Sequence, residues 1–262
     1  MRIVTVVKRV PDSRATIKVK PDGAGIDTAG LRFVCDPFDE FGVEQGVRLK
    51  EQRADVQAVT ALAAGPKAVT EVLYVALAMG ADRAVHVLDD TLPVEDELAV
   101  AAVLAAAIRH DPQGADLILC GKQNIDNDAG ELGPALAEYL GLPHVGAVTR
   151  LEVAADGGSL TAHRRIEGAE EIVETKLPVL LTCEKGLVEP RFPSLPKLMK
   201  AKKQPIETIS PGNLPGIGAL ANARSLVILS PPPPRPACTY LEGEPREMAR
   251  DLVRRLRQEG MI

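Results

Sequence analysis

The sequence is poor in the features that identify several common functional classes. It has no tryptophan, and aromatic residues make up only 3% of its 262 residues. Its four cysteines are far apart and form no C-x-x-C pair, which excludes a zinc knuckle and a dithiol redox motif. It also lacks a G-x-G-x-x-G string after the first strand, a G-x-x-x-x-G-K-[ST] loop and a G-x-S-x-G elbow. The chain therefore has no sequence support for a standard dinucleotide-binding dehydrogenase, a P-loop ATPase or a hydrolase with a catalytic triad. Its four histidines are not spaced as metal ligands.

Charge and hydropathy exclude two further classes. The chain has 31 Lys and Arg against 36 Asp and Glu, and its formal charge is -5. It therefore lacks the excess of positive charge that is typical of nucleic-acid-binding proteins. The Ala-rich stretch from Leu98 to Ile108 is bounded by charge on both sides, and we expect no membrane insertion. The apolar run near the N-terminus is interrupted by Lys8 and Arg9 and precedes no small-residue cleavage site. It predicts a first core strand and a cytoplasmic protein.

The first half of the chain alternates strand patterns with helix patterns. Short apolar, β-branched runs predict parallel strands buried on both faces. They occur at Ile3–Val7, Val56–Leu62, Ala84–Leu88 and Leu117–Cys120. Each run is followed by apolar residues at helical spacing, which predicts a helix. The predicted helices extend from the end of the DPFDEFG segment to about Arg53, from Val69 to a C-terminal cap at Gly80, from Glu95 to His110 and from Gly130 to Leu140. This order predicts an α/β protein with a Rossmann-like open parallel sheet and helices on both faces.

The second half departs from this alternation. Three segments in which apolar and polar residues alternate, joined by ADGG and EGAE turns, predict an antiparallel strand add-on at about 145–176. The predicted strands are Val145–Val153, Leu160–Ile166 and Ile172–Thr175. A small hairpin is expected earlier, with Ala15–Lys20 as a strand before the PDGAG turn. The apolar run Val179–Thr182 can return to the main sheet, so residues 1–185 are predicted to form one α/β domain.

Residues 186–262 predict an extended C-terminal arm. The stretch Glu189–Gly218 is rich in Pro, Lys and Gly with little periodicity, and PPPPRP at 231–236 predicts extended chain. The arm ends in a predicted helix, Pro245–Gln258, with an apolar stripe of Met248, Leu252, Val253 and Leu256. Such a helix either folds back on its own domain or packs on another subunit, and the long arm favours another subunit.

The loops after the first and fourth strands are the expected ligand site. In open α/β sheets, ligands bind beyond the carboxyl ends of the strands where strand order reverses. The fourth loop reads GKQNIDNDAGELG, in which Gly121 permits close backbone approach and the following helix start favours a phosphate. Asp126 and Asp128 can cap that helix or accept hydrogen bonds from ribose hydroxyls. The alternative is that residues 126–128 form only an Asx turn and N-cap.

Five strings in order along the chain resemble the β subunit of electron-transfer flavoproteins: VVKRVPD, VCDPFDEFGVEQGVRLKE, ALAMGADRAVHV, GKQNIDND and EPRFPSLPKLMKAKKQPIE. The resemblance covers essentially the whole chain. It implies a Rossmann-like subunit that forms a heterodimer with a larger α subunit, which carries most of the FAD site, and that binds AMP as a structural nucleotide. The matching cofactor-binding positions are Val6, Asp36, Pro37, Phe38, Asp39, Ala64, Gly121, Lys122, Gln123, Asn124, Ile125, Asp126, Asn127, Asp128, Ala129, Gly130, Glu131 and Leu132. The AGEL string at 129–132 replaces a polar stretch of the family, so backbone contacts are expected there.

The same resemblance implies a flavin-facing loop and a docking loop. Phe38 and residues 10–14 would lie near the flavin ring, although Ser13 stands where the family has an aromatic; the alternative for Phe38 is an ordinary core aromatic. The family's recognition loop inserts a leucine into a pocket of acyl-CoA dehydrogenases. The matching leucine is Leu195; its partner-docking neighbours are Pro193, Pro196, Lys197, Lys200 and Lys203. The alternative is a solvated basic loop with Leu195 in the core.

The function implied is that of an electron carrier rather than an enzyme, because the redox chemistry belongs to FAD. It would accept electrons from dehydrogenases and pass them to a quinone-linked oxidoreductase. A bifurcating flavoprotein with a second FAD in place of AMP, and a stand-alone adenine-nucleotide sensor, are the alternatives. Arg164 and Arg165 either face the partner subunit or form a solvated strand face.

Overall fold

The structure is a computed structural model that describes residues 1–214 and 228–262. The described residues group into two compact units. The sheet unit contains residues 1–17 and 27–214, and the terminal unit contains residues 18–26 and 228–262. Residues 186–214, which the sequence assigned to the arm, therefore group with the sheet.

The described strands follow one another along the sheet unit with helices between them. In chain order they are β1 (Arg2–Val6), β2 (Arg9–Pro11), β3 (Phe33–Cys35), β4 (Ala58–Gly65), β5 (Arg83–Leu88), β6 (Leu117–Gly121), β7 (His144–Val153), β8 (Ser159–Ile166), β9 (Ala169–Lys176), β10 (Val179–Cys183) and β11 (Glu207–Ile209). The helices are α1 (Pro37–Gln52), α2 (Thr70–Met79), α3 (Glu97–His110), α4 (Leu132–Leu140) and α5 (Leu195–Ala201) in the sheet unit, and α6 (Pro245–Gln258) in the terminal unit.

Nine strands form one mixed, mostly parallel sheet in the order β11-β5-β4-β1-β6-β10-β7-β8-β9. Pairing is parallel from β11 to β7 and antiparallel for β8 and β9, which confirms the predicted add-on. Strand β10 returns to the main sheet, as predicted, and the structure places it between β6 and β7. From β1, the chain builds outward through β4 and β5 on one side and then begins again with β6 on the other. The strand order therefore reverses between β1 and β6.

Two apolar layers hold the helices against the sheet. One buries side chains of α1 and α2 such as Val43, Val47 and Leu73 against Ile3 of β1. The other buries α3 and α4 against the opposite face, where Val4 of β1 lies. Successive residues of a strand point to opposite faces, so the continuous apolar runs follow from a sheet covered on both sides. The predicted helices on both faces are confirmed.

Four local expectations need correction. Helix α1 begins inside the DPFDEFG segment, at Pro37, because the Asp36 side chain caps it. Helix α4 begins at Leu132 instead of Gly130, whose φ of 63° is left-handed. In place of a strand at 15–20 there is a single bridge between Val19 and Ile26, while β2 and β3 form a separate two-stranded sheet.

The fourth correction concerns Glu189–Gly218, which holds more regular structure than its composition predicts. It contains α5 and β11, and β11 extends the main sheet beside β5. Leu198 packs against the core and Ala201 is buried, which fixes α5 to the sheet unit. The part of this segment from 215 onward lies outside the described residues. The predicted helix Pro245–Gln258 has the bounds of α6.

Candidate functional site

The carboxyl ends of β1 and β6 lie side by side where the strand order reverses. Two of the predicted segments meet there: the start of α1 at 36–39 and the loop after β6 at 121–131. Val6 is buried at the end of β1, and Ala64 lies near the end of β4 against the same apolar layer. We call these residues the strand-end site.

Asp36 ties helix α1 to the loop after β6. Its buried carboxylate accepts a hydrogen bond from the backbone N–H of Phe38 at 2.8 Å, which caps the helix. Its other oxygen accepts from the N–H of Ile125, also at 2.8 Å. Burial raises the pKa of Asp36 to about 6, because the charged form is poorly solvated there.

Asp39 makes a second buried connection one turn along the helix. It accepts from the backbone N–H of Gly121 and from that of Lys8, each at 2.8 Å. Burial and the nearby charge of Asp36 raise the pKa of Asp39 well above its ordinary value. Asp39 therefore occupies backbone donors at the ends of β1 and β6, and Asp36 occupies one in the loop after β6.

Gly121 is required by the approach of α1. A Cβ at this position would lie 2.7 Å from Cβ of Phe38 and 2.8 Å from Oδ1 of Asp39, closer than such atoms approach. The sequence predicted close approach at Gly121, but assigned it to a ligand. In the structure the first turn of α1 fills that space.

The acidic run 126–128 does not cap helix α4. Asp126 forms an ion pair with Nζ of Lys8 at 2.8 Å, and Asp128 accepts from Nε2 of Gln123 at 2.8 Å. The Asx-turn expectation holds for Asn127, whose side chain accepts from the N–H of Ala129 at 3.1 Å. Both carboxylates are therefore directed away from the start of α4.

Glu97, a residue that the sequence did not single out, caps α4. Its Oε2 accepts from the backbone N–H groups of Glu131 and Leu132, both at 2.9 Å. The residue is 2% exposed, and its Oε1 is buried without a hydrogen-bond partner within the part of the chain that the structure describes. Glu97 starts α3, far from Leu132 in sequence, so only the packing of the two helices reveals this contact.

Lys122 and Phe38 complete the surroundings of the site. Lys122 forms an ion pair with Glu184 at 2.5 Å; although partial burial raises the pKa of Glu184, this contact holds it below its ordinary value. Phe38 is half-buried and meets Phe41 edge to face, with ring centroids 6.2 Å apart. Of the predicted flavin-facing loop, Val10 is buried and Ser13 is exposed.

A second feature lies at residues 191–203, which we call the docking segment after the docking role that the sequence resemblance predicts. Leu195 is the first residue of α5 and is 72% exposed, so it is not a core residue. Phe192 is 94% exposed, and Met199 is also exposed. The surrounding lysines Lys197, Lys200 and Lys203 are all exposed. The segment thus presents an apolar patch bordered by positive charge.

The docking segment is fastened to α1 by ion pairs. Arg191 contacts Glu44 at 2.7 Å and Glu51 at 2.7 Å, and the Glu44 side chain is only 1% exposed. Arg48 also pairs with Glu44 and donates to the carbonyl of Glu189 at 3.0 Å. Burial raises the pKa of Glu44, but the two guanidinium groups outweigh it and hold the pKa below its usual value.

The chain matches known proteins over its full length. A family model described as "Electron transfer flavoprotein domain" matches residues 24–213. The chain is 40% identical to the electron transfer flavoprotein subunit beta of Homo sapiens, covering 100% of this chain and 99% of that protein. It is 35% identical to the subunit beta of Bacillus subtilis, covering 100% of both. The chain belongs to the electron transfer flavoprotein β-subunit family.

Within this β-subunit family member, the antiparallel add-on carries Arg164 and Arg165. Arg164 donates to the carbonyl of Gly146 at 3.0 Å and pairs with Glu171 across the strands at 2.9 Å. Arg165 is exposed. Arg164 therefore already has partners inside the sheet.

Within residues 1–214 and 228–262 of this β-subunit family member, no helix is long and apolar enough to cross a bilayer. Those residues also contain no cluster of three His, Cys, Asp or Glu side chains that could hold a metal ion.

Proposed function

We propose that this chain is the β subunit of a heterodimeric electron-transfer flavoprotein that accepts electrons from dehydrogenases and passes them to a quinone-linked oxidoreductase. The proposal that this subunit docks on dehydrogenases rests on the exposed Leu195 at the start of α5, in a segment that Arg191 joins to α1. An apolar side chain between prolines loses little conformational entropy when it enters a pocket. The adjacent lysines favour an acidic partner and increase the rate of encounter. Acyl-CoA dehydrogenases are the proposed donors.

FAD, bound mainly by the α subunit, would supply the redox chemistry. The part of this chain that we propose to face it is the first turn of α1 with the loop at 10–14. Phe38 is half-buried there, and its edge contact with Phe41 fixes the orientation of its ring. These residues would shape one wall of the flavin environment and exclude water from it.

The strand-end site fits the nucleoside part of AMP better than its phosphate. Asp126, Asn127 and Asp128 present oxygen acceptors at the carboxyl ends of the strands, where a nucleoside is expected in this fold. The first amides of α4, the natural place for a phosphate, are already occupied by the Glu97 carboxylate. We propose that AMP binds at this site, held through loop 121–132.

We further propose that residues 228–262 attach this subunit to the α subunit. Helix α6 places Leu252 and Val253 on one side, and both are exposed. Its other side is rich in arginine. An exposed apolar stripe on an amphipathic helix is the usual mark of a partner surface.

The test is co-expression with a candidate α subunit, followed by an absorbance spectrum and extraction of bound nucleotides. We expect a yellow heterodimer with one FAD and one AMP. Two FAD per heterodimer would instead favour a bifurcating flavoprotein. A stable colourless monomer that binds adenine nucleotides alone would favour the sensor alternative and contradict the proposed function.

A further inference from the structure

Glu97 is an ionisable residue that does not cap its own helix, α3. Helix α3 is capped by Asp96, which accepts from the N–H groups of Leu98 and Ala99 at 3.1 Å. Glu97 instead extends to the neighbouring helix and binds the N–H groups of Glu131 and Leu132. The contact thus serves the beginning of α4.

The start of α4 is a favourable position for an anion. Helix α4 contains nine residues, and the side chain of its N-cap residue, Glu131, makes no capping hydrogen bond. The free N–H groups of a first turn, together with the helix dipole, bind phosphate or carboxylate. The Glu97 carboxylate supplies that anion from within the chain.

The carboxylate is nevertheless incompletely satisfied. Glu97 is 2% exposed, and among the described residues its Oε1 has no hydrogen-bond partner. A buried carboxylate oxygen without a donor has lost its hydration without compensation. Moving Glu97 into water would restore that hydration, which offsets part of the cost of leaving the two amides.

We propose that Glu97 is a displaceable internal anion that competes with a nucleotide phosphate for the first amides of α4. This inference rests on the proposed binding of AMP and specifies how the same site selects its ligand. While Glu97 lies at α4, it weakens the binding of the AMP phosphate and leaves the binding of the adenosine part unchanged. A phosphate-bearing adenylate enters fully only when Glu97 moves away. Glu97 is then a residue that determines ligand specificity.

The experiment measures the dissociation constants of AMP and adenosine for the nucleotide-stripped full chain. It compares the wild type with Glu97→Gln and Glu97→Ala. Both variants remove the competing negative charge, and Glu97→Gln retains the length of the side chain and one acceptor. We expect the preference for AMP over adenosine to rise at least about tenfold in both variants. Glu95→Gln, which removes the same charge at an exposed position two residues earlier, is the matched control and should leave the preference unchanged.

The outcomes separate the two proposals. If AMP and adenosine bind but their ratio is the same in all chains, Glu97 does not compete with phosphate, and the proposed function stands. If neither AMP nor adenosine binds the wild type or the variants, the proposed AMP binding is wrong, and the role of Glu97 is then tested with inorganic phosphate alone. Phosphate should then shift the amide resonance of Leu132 in Glu97→Ala and not in the wild type; no shift in either overturns the inference. Should both variants fail to fold, the wild type decides: AMP must shift the Glu97 side-chain resonance and adenosine must not.

Discussion

Nε of Arg191 lies 2.7 Å from Oε2 of Glu44, and this ion pair joins the docking segment to helix α1. Because the Glu44 side chain is 1% exposed, replacing Arg191 with alanine leaves a buried carboxylate with Arg48 as its remaining charged partner and the backbone N–H of residue 191 as a neutral donor. We expect Arg191→Ala to lower the free energy of unfolding by about 2 kcal/mol in urea denaturation. Glu51→Gln, which breaks the more exposed of the two contacts, should cost only about 0.5 kcal/mol. Equal losses in the two variants would show that the buried pair of Arg191 and Glu44 contributes no more to the free energy of unfolding than the exposed pair of Arg191 and Glu51.

Leu195 should govern the transfer of electrons from dehydrogenases. Truncating an exposed anchor removes contacts that form only on docking, so Leu195→Ala should slow transfer about tenfold and leave the FAD content unchanged. Stopped-flow reduction of the heterodimer by an acyl-CoA dehydrogenase measures the rate. Ile172→Ala removes an apolar side chain of comparable exposure on β9 and should have no effect. Undiminished transfer by the Leu195 variant would refute the docking role.

The acidic start of α1 should make stability depend on pH. Burial and the charge of Asp36 raise the pKa of Glu40 to about 7. The folded state therefore binds this proton more tightly than the unfolded state, and the stability it contributes is lost as pH rises from about 4.5 to about 7. Urea denaturation at several pH values should show Glu40→Gln gaining about 3 kcal/mol relative to the wild type over this interval. A difference that is independent of pH would contradict the assigned shift.

Helix α6 should control assembly with the α subunit. Leu252 and Val253 are exposed, and Leu256 lies on the same apolar stripe. The double variant Leu252→Ser, Leu256→Ser should reduce co-purification of the α subunit at least about tenfold, because it removes apolar surface that would be buried in the complex. Arg250→Ser with Gln258→Ser changes the polar side of the same helix and serves as the control. Assembly that is equally retained in both would move the interface away from this stripe.

Local sequence patterns predicted most elements of the sheet unit. The strand and helix periods gave the parallel sheet, the antiparallel add-on, the return of β10 and the bounds of α6. Short-range signals were less successful where a tertiary contact decided the outcome. Helix α5 and strand β11 form within a proline-rich and lysine-rich stretch because Leu198 and Ala201 find the core and β5 offers a free edge.

The strand-end site was predicted in position but not in its connections. A ligand site at a reversal of strand order was expected for an open parallel sheet, and the reversal between β1 and β6 brings residues 36–39 to the loop at 121–131. Which donor each carboxylate occupies depends on distances of about 3 Å between elements far apart in sequence. Asp36 bonding to Ile125, and Asp39 to Gly121, could not be read from spacing.

The sequence by itself determined the class of the fold and, through five strings in order, membership of the β-subunit family, since both depend on patterns that persist along the chain. Only the tertiary structure decided that Leu195 is presented to solvent and that Glu97 occupies the first amides of α4. The reason is physical: the exposure of a side chain and the satisfaction of a hydrogen-bond donor are set by whatever packs against them. Glu97 meets α4, a helix far from it in sequence, and the segment that carries Leu195 is joined through Arg191 to Glu44 of α1.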